Sequence, residues 1–276
     1  MHFEKGSYDE NWVEGFFAAA TAQRLDEIGI SEHSHTFPEF YDLYRETLIL
    51  DDSSVGKFQQ QWLKNNKFKY SIDEYFAFMK MLQKKHRVKI GIEVCNLNDQ
   101  NAIADILHAY PFDYVIGSVH YIWGWGFDFA EIKDEWTRHD LHEIYEGYVA
   151  EIERLAATKL YDVLGHPFNL RLFKILPDFD VTYLLERAAK ALAAADMAID
   201  VNTGTMYRYP IAEISPYADF MRVAKKYQLP VIITSDAHAP ADCGKFHDEA
   251  VAHAKTFGYN ETLQFAGRVR YTVPLE

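Results

Sequence analysis

The stretch 231-VIITSDAH-238 runs from four β-branched residues directly into two side chains that can bind metal, Asp236 and His238. Buried strands of parallel sheets are typically short runs of this kind, bounded by turn residues. In barrels built from such strands, catalytic side chains lie at the carboxyl ends of the strands. The stretch therefore predicts one strand of an α/β barrel with two metal ligands at its end.

Four other apolar runs end in the same way: Ile28–His33, Ile90–Glu93, Tyr114–His120 and Val163–His166. One such residue is equally typical of an ordinary junction between a strand and a loop, but the whole set would converge at one end of a barrel. Imidazole and carboxylate together suit zinc, manganese or iron, and a carboxylate can bridge two ions about 3.5–4 Å apart. The predicted ligands are His33, Glu93, His120, His166, Asp236 and His238.

Length and composition indicate one globular domain. The chain has 276 residues, of which 49% are hydrophobic and 25% charged, and it shows no linker, repeat or low-complexity segment, so we expect 1–276 to form a single domain. The formal net charge of −13 and the lack of a basic cluster argue against long nucleic acids as partners. A small anionic substrate remains compatible, because bound cations dominate the field of a site.

Two distant cysteines, Cys95 and Cys243, do not indicate a disulfide framework. Residues 1–6 lack the pattern of a secretory signal, and nowhere do eighteen apolar residues run together. We therefore expect a cytoplasmic protein with no membrane segment. The sequence does not indicate an oligomeric state.

Helical and extended patterns alternate along the chain. Residues 36–70 are polar and rich in aromatic residues without a clean period, which predicts a long loop over the barrel mouth. Ser71 is a candidate helix cap. The predicted helices are 9–27, 71–86, 99–108, 134–158, 181–194, 215–227 and 240–257, and a further strand is predicted at 197–201.

The order of five motifs resembles the PHP superfamily, named for polymerase and histidinol phosphatase, over nearly the whole chain. These motifs are Glu32-His33-Ser34, Gly91-Ile92-Glu93-Val94, Gly117-Ser118-Val119-His120, Gly165-His166-Pro167 and Ser235-Asp236-Ala237-His238. The segments 124-GWGFD-128 and 201-VNTG-204, with Arg208 and Pro210 beyond, resemble the histidinol-phosphate phosphatase branch. The resemblance implies a distorted (β/α)7 TIM-like barrel with two or three divalent manganese, iron or zinc ions.

The resemblance also implies how the ligands are shared. Glu93 would bridge two ions, with His120 and His166 completing one site and Asp236 joining the N-terminal histidines at the second. His33 and His238 would hold a third ion. The family opens with a His-x-His pair, of which this chain supplies His2 alone, preceded by Met1. Either the first strand is incomplete through truncation or a shifted start, or the first site uses fewer ligands.

The third site of the family takes a further ligand a few residues after the pair. Tyr8 is the aligned residue here, and Glu4 or Asp9 are the alternatives. Independently of the family, an ion pair lowers the pKa of bound water and so provides a hydroxide nucleophile for phosphate esters. Asp236 or His238 would protonate the departing alkoxide, beside the bridging Glu93.

Substrate contacts are predicted on the loops over the cluster. Arg171 and Arg208 each follow a strand end by five or six residues, where a guanidinium can bind phosphate with two hydrogen bonds. Trp125, with its aromatic neighbours, either walls a pocket for a flat ring or packs under its loop. His35 either contacts substrate or caps the loop.

The leading hypothesis is a metal-dependent phosphomonoesterase that hydrolyses L-histidinol phosphate in histidine biosynthesis. One alternative is a PHP-type phosphoesterase acting on nucleotides or other small phosphate esters. A second alternative is a metal-poor, non-catalytic binding module, which follows if the missing first histidine is native.

Overall fold

The fold is an α/β structure built on a curled parallel sheet, and the computed structural model describes residues 1–6, 8–65 and 67–275. The strands in these residues are β1 (Ile28–His33), β2 (Val88–Cys95), β3 (Tyr114–Ser118), β4 (Tyr121–Ile122), β5 (Trp125–Gly126), β6 (Val163–Leu164), β7 (Ala198–Asn202), β8 (Val231–Thr234), β9 (Glu261–Ala266) and β10 (Val269–Pro274). The helices are α1 (Glu10–Ala22), α2 (Tyr41–Thr47), α3 (Ser54–Lys64), α4 (Ile72–Leu82), α5 (Gln100–His108), α6 (Leu141–Thr158), α7 (Thr182–Ala195), α8 (Gly204–Arg208), α9 (Ala218–Lys226) and α10 (His247–Thr256).

One sheet of six parallel strands, in the order β1-β2-β3-β6-β7-β8, forms the centre of the described residues. Its carboxyl ends are level, so that His33 on β1 lies opposite Glu93 on β2. Residues 1–2 connect the two edges of this curled sheet. The Ser31 amide donates a hydrogen bond of 2.8 Å to the Met1 carbonyl, and the His2 amide donates one of 2.9 Å to the Ala237 carbonyl. His2 is therefore held at the same end of the sheet as the ends of β1 and β8.

The amino end of the sheet is covered by the β9–β10 hairpin. Leu263 and Phe265 of the hairpin are buried against side chains on the inner face of the sheet, including Tyr114 and Ile116 of β3. Because side chains alternate between the two faces of a strand, Tyr114 and Ile116 lie on the same face. This inner face is apolar near the hairpin, whereas the predicted ligands lie at its carboxyl end. The hairpin was not predicted from the sequence.

The helices agree with the sequence patterns in several places and differ in others. The helix predicted at residues 9–27 ends at Ala22, and α8 was not predicted. Ser71 caps α4 in a capping box with Glu74, as predicted. Residues 36–70, predicted to be a loop, instead contain α2 and α3, and Ser53 caps α3 by accepting a hydrogen bond from the Gly56 amide. The helix predicted from residue 134 begins only at Leu141, after 3-10 turns over Ala130–Arg138.

The helix predicted at residues 240–257 is likewise shorter, because a 3-10 turn precedes α10. Within the described part of the chain, no helix combines the length and the apolar character needed to cross a membrane.

Candidate metal centre

The predicted ligands converge at the carboxyl end of the sheet. We define three groups of donor atoms by their distances: site A (Glu93, His120, His166), site B (His2, Glu93, Asp236) and site C (Glu4, His33, His35). His238 lies between sites B and C, in a further group with His2 and His33. The structure thus brings together all seven residues predicted as ligands, whereas metal binding itself stays a prediction.

In site A, the donor atoms face one another without an intervening group. Nε2 of His120 and Nε2 of His166 are 3.2 Å apart, and Glu93 Oε1 lies 3.2 Å from His166 Nε2 and 3.7 Å from His120 Nε2. Donors that bind one zinc-sized ion at about 2.1 Å in a tetrahedral arrangement are separated by roughly 3.4 Å. The spacing, and the mixture of imidazole and carboxylate, therefore fit a divalent cation.

Site B shares Glu93 with site A through the second carboxylate oxygen. His2 Nε2 lies 3.5 Å from Glu93 Oε2 and 3.0 Å from Asp236 Oδ1. One oxygen of Glu93 thus faces each site, which is the arrangement that a bridging carboxylate requires.

Site C takes Glu4 from the N-terminal segment. Glu4 Oε2 lies 3.0 Å from His33 Nδ1 and 3.5 Å from His35 Nε2. The other two residues considered for this position lie elsewhere, because Tyr8 packs against Tyr70 and Phe78, and Asp9 caps α1. Of the three alternatives, Glu4 alone reaches the cluster.

Burial and neighbouring charges together set the protonation of the donor groups in the metal-free chain. It lowers the pKa of His2 to about 4 and, with the neighbouring His166, that of His120 to about 3. Burial alone would raise the pKa of Glu93, but its hydrogen bond with His166 and the charges of the surrounding histidines hold that pKa well below the usual value. Burial alone would lower the pKa of His166, but its hydrogen bond with Glu93 and the charge of that carboxylate raise it to about 9. Because the neutral imidazole is the form that binds metal, His166 would have to release a proton when site A takes an ion.

Contacts behind the ligands hold site A in place. The Asn96 Oδ1 atom accepts hydrogen bonds from the backbone amides of His120 and Tyr121, both of 3.0 Å. Cys95 Sγ lies 3.0 Å from His120 Nδ1, the ring nitrogen opposite the donor atom. Such contacts fix the orientation of a ligating ring.

Two of the ligands have a strained backbone. His166 has φ +28° and Asp236 has φ +49°, which lie in the left-handed region that side chains other than glycine seldom adopt. Each residue stands two positions after the end of a strand, His166 after β6 and Asp236 after β8.

The two predicted arginines have different surroundings. Arg208 pairs with Asp236 through Nη2, and its Nη1 lies 2.8 Å from His238 Nδ1, so the guanidinium lies at the edge of site B. Arg171 instead pairs with Glu213 at 3.0 Å and stacks on Tyr217, 4.2 Å from the ring centroid. The structure therefore does not support Arg171 as a phosphate ligand, because its charge is already paired outside the cluster.

The aromatic side chains in the segment that follows β3 pack against one another. Trp125 is 1% exposed and contacts the rings of Trp136 and His139 at 5.4 Å, so the expectation that it contacts substrate is corrected. The alternative prediction, that Trp125 packs under its loop, agrees with these contacts. His35 does face the centre, since its Nε2 lies 3.0 Å from the Lys67 ammonium.

Two charged residues next to the ligands were missed as site residues. Lys67 reaches His35 from the segment after α3, above the ring of Trp62. Asp128 follows the aromatic run of the loop, and its Oδ2 lies 3.9 Å from His120 Nε2. Burial raises the pKa of Asp128 to about 6. In the sequence, Asp128 was marked as the last residue of the 124-GWGFD-128 segment and as the single acid that follows this apolar run.

A cavity of about 550 Å³ lies inside the sheet beneath sites A and B. It extends from His166 and Asp236 down to Phe265 of the hairpin, and neither Arg208 nor Asp128 lines it. These two charged groups therefore contact the cluster from outside this cavity.

Comparison with known proteins gives a consistent set of relatives. Residues 10–204 match the PHP domain family. The chain is 33% identical over 202 residues to a protein of Deinococcus radiodurans named "probable histidinol-phosphatase", covering 71% of this chain and 76% of that one. A histidinol-phosphatase of Lactococcus lactis is 25% identical over 262 residues, covering 85% and 93%.

A solved structure has the same fold. It is the histidinol phosphate phosphatase of Lactococcus lactis in complex with zinc, L-histidinol and phosphate. The two chains superpose with a TM-score of 0.67 at 20% identity, over 94% of this chain and 92% of the other.

Proposed function

The chain belongs to the PHP domain family, and we propose that it is a metal-dependent phosphomonoesterase that hydrolyses L-histidinol phosphate to L-histidinol and phosphate. The observation that carries the proposal is Glu93, whose two carboxylate oxygens face two separate groups of donor atoms. The names of the relatives in Deinococcus and Lactococcus support this choice of substrate.

The residues divide between holding ions and handling the substrate. Sites A and B would hold two ions, and site C, with His238 nearby, a third; manganese, iron and zinc all accept such ligands. When bound, divalent ions supply charge to the phosphoryl oxygens and lower the pKa of water. Most of these donors lie on strands or within a few residues after them, whereas His2 and Glu4 belong to the N-terminal segment.

Arg208 is the residue that we propose binds the phosphate. Its guanidinium touches Asp236 and His238 at the mouth of the cluster, where it can donate two hydrogen bonds to phosphate oxygens. The sequence suggested Asp236 or His238, just after β8, as the group that protonates the leaving alcohol. Burial lowers the pKa of His238 to about 2, and Arg208 and His2, against the effect of burial, hold that of Asp236 well below its usual value, so neither group carries this proton in the metal-free chain.

Compartment and partners are further parts of the proposal. Cys95 and Cys243 are buried free thiols, which is compatible with the reducing cytoplasm. The expected partner is a small phosphorylated molecule. The Lactococcus structure, which contains L-histidinol and phosphate, supports this class.

The test is phosphate release by manganese-reconstituted protein from L-histidinol phosphate, AMP and an aryl phosphate. We expect kcat/KM to favour L-histidinol phosphate by at least about a hundredfold. Equal activity on the other esters would support a phosphomonoesterase but contradict L-histidinol phosphate as its specific substrate. A lack of activity on all three, with ions bound, would reject the enzyme.

A further inference from the structure

Asp128 is a partly buried carboxylate next to site A to which the proposed function assigns no role. Its side chain is 16% exposed, and its nearest basic neighbour is His120, at 3.9 Å. Within the described part of the chain, this carboxylate accepts a hydrogen bond only from the backbone of Asp128 itself. Burial of an unpaired carboxylate costs free energy, and such a group in a native site requires an explanation.

A role as a metal ligand does not explain it. The donor atoms of site A all lie within 4.8 Å of one another, and Asp128 is not part of that group or of any other such group of described residues. The carboxylate stands just outside the donors, at the mouth. It is therefore available to a molecule bound at the cluster.

The position of Asp128 is fixed by its loop. The Phe127 amide donates a hydrogen bond of 3.3 Å to the His120 carbonyl, and Trp136 Nε1 donates one of 2.8 Å to the Phe127 carbonyl. Trp125 and Phe127, each 1% exposed, anchor the loop from below. A carboxylate held in this way loses little freedom when it binds a ligand.

We propose that Asp128 binds the ammonium group of a phosphorylated 2-amino alcohol and so selects this class of phosphate ester. The inference rests on the proposed function and deepens it. In such an ester the ammonium nitrogen is three bonds from the ester oxygen. With the phosphate at the cluster, the ammonium must therefore lie within a few ångströms of it, which is where Asp128 stands.

The chemistry of the pair also favours this role. An ammonium donates charge-assisted hydrogen bonds to a carboxylate, and it would replace the partners that the buried Asp128 lacks. A phosphate ester without the amino group would leave the carboxylate buried and unpaired, which is an effective means of rejection.

The test compares L-histidinol phosphate with its analogue lacking the amino group, 3-(imidazol-4-yl)propyl phosphate. We expect the parent protein to prefer the former by at least about a hundredfold in kcat/KM. Asp128→Asn should reduce this preference at least about tenfold, by lowering kcat/KM for the amino ester alone. Bound metal per chain should stay at the parent value. Asp134→Asn, the same change at an exposed position shortly after the loop, should alter neither rate.

Each contrary result has its own meaning. An unchanged preference in Asp128→Asn, an equal loss on both esters, or a loss of bound metal would each overturn the role of Asp128. Asp128→Ser, which removes the charge with a smaller side chain, must give the same shift as the asparagine variant. The parent protein is assayed first. If it hydrolyses other esters but not L-histidinol phosphate, the proposed function fails, and this outcome is distinct from a failure of the role of Asp128.

Discussion

Sites A and B share Glu93 but are built differently. The ligands of site A come from β2 and from the ends of β3 and β6, which are hydrogen-bonded neighbours, and His120 is further held by Asn96 and Cys95. Site B depends on His2, in a short segment that two backbone hydrogen bonds attach to the sheet edges. Its carboxylate, Asp236, already pairs with Arg208.

The difference implies an order of metal affinity. Site A needs little rearrangement to take an ion, whereas an ion at site B must share Asp236 with a guanidinium. Site C is weaker still, because the His35 nitrogen that would bind the ion contacts the Lys67 ammonium at 3.0 Å. We expect titration of the metal-free protein to fill site A first, then site B, then site C.

The largest effect should follow from removing the residue common to both sites. Glu93→Gln keeps the shape but removes the bridging charge, so bound metal should fall at sites A and B together. We expect kcat/KM to fall by about a thousandfold or more, since the ions supply several kcal/mol of transition-state stabilisation. Metal analysis and phosphate release measure this. Glu46→Gln, an exposed control, should match the parent; near-parent activity in Glu93→Gln would remove Glu93 from the centre.

Separate ligand deletions test the order of affinity. His166→Ala should abolish the tightest binding step in a manganese titration, whereas His2→Ala should remove a weaker step and leave the tightest one intact. Both should lose activity, because each would remove a ligand of an ion that we propose acts on the phosphate. The order is refuted if His2→Ala, and not His166→Ala, eliminates the tightest step.

The two arginines provide the next contrast. Arg208→Ala should lower kcat/KM by roughly 10- to 100-fold, mainly through KM, because it loses charged hydrogen bonds worth about 1.5–3 kcal/mol. Arg171→Ala should keep parent kinetics but lower the free energy of unfolding by about 1 kcal/mol, through loss of its contacts with Glu213 and Tyr217. Kinetics on both variants and denaturant melts check this, and a reversed pattern would exchange the two roles.

The smallest effect concerns the contact behind His120. Cys95→Ala removes the sulfur next to Nδ1 and should weaken metal binding at site A by about tenfold, the lower end of what such supporting groups contribute. Cys243→Ala, the other buried cysteine, lies away from site A and serves as the control. Equal metal affinity in both variants would show that Cys95 only fills space.

The sequence predicted the family and the fold, and both are confirmed. The reason is that strands carrying ligands are short apolar runs with a fixed alternation, so Glu93 or His166 can be located at strand ends from the chain alone. Metal binding by these residues stays a prediction.

What the sequence did not predict depends on contacts between distant segments. The β9–β10 hairpin covers a sheet end that no local pattern reveals, and α3 lies in a stretch whose period is obscured by polar residues. Arg171 and Trp125 follow strands in the same way as site residues do. Only the positions of Glu213 and Trp136 decide that both face elsewhere.

The left-handed backbone of His166 and Asp236 has a consequence for directed evolution. Each residue has an unfavourable φ, which costs on the order of 1–3 kcal/mol of folding free energy unless the surroundings, or a bound ion, offset it. If random variants are screened for heat resistance after chelator treatment, we therefore expect substitutions at these two positions to be enriched. The selected variants would be more stable but would lack activity, which such a screen does not measure. The same screen run with manganese present would preserve them, because ion binding would then reward the native residues.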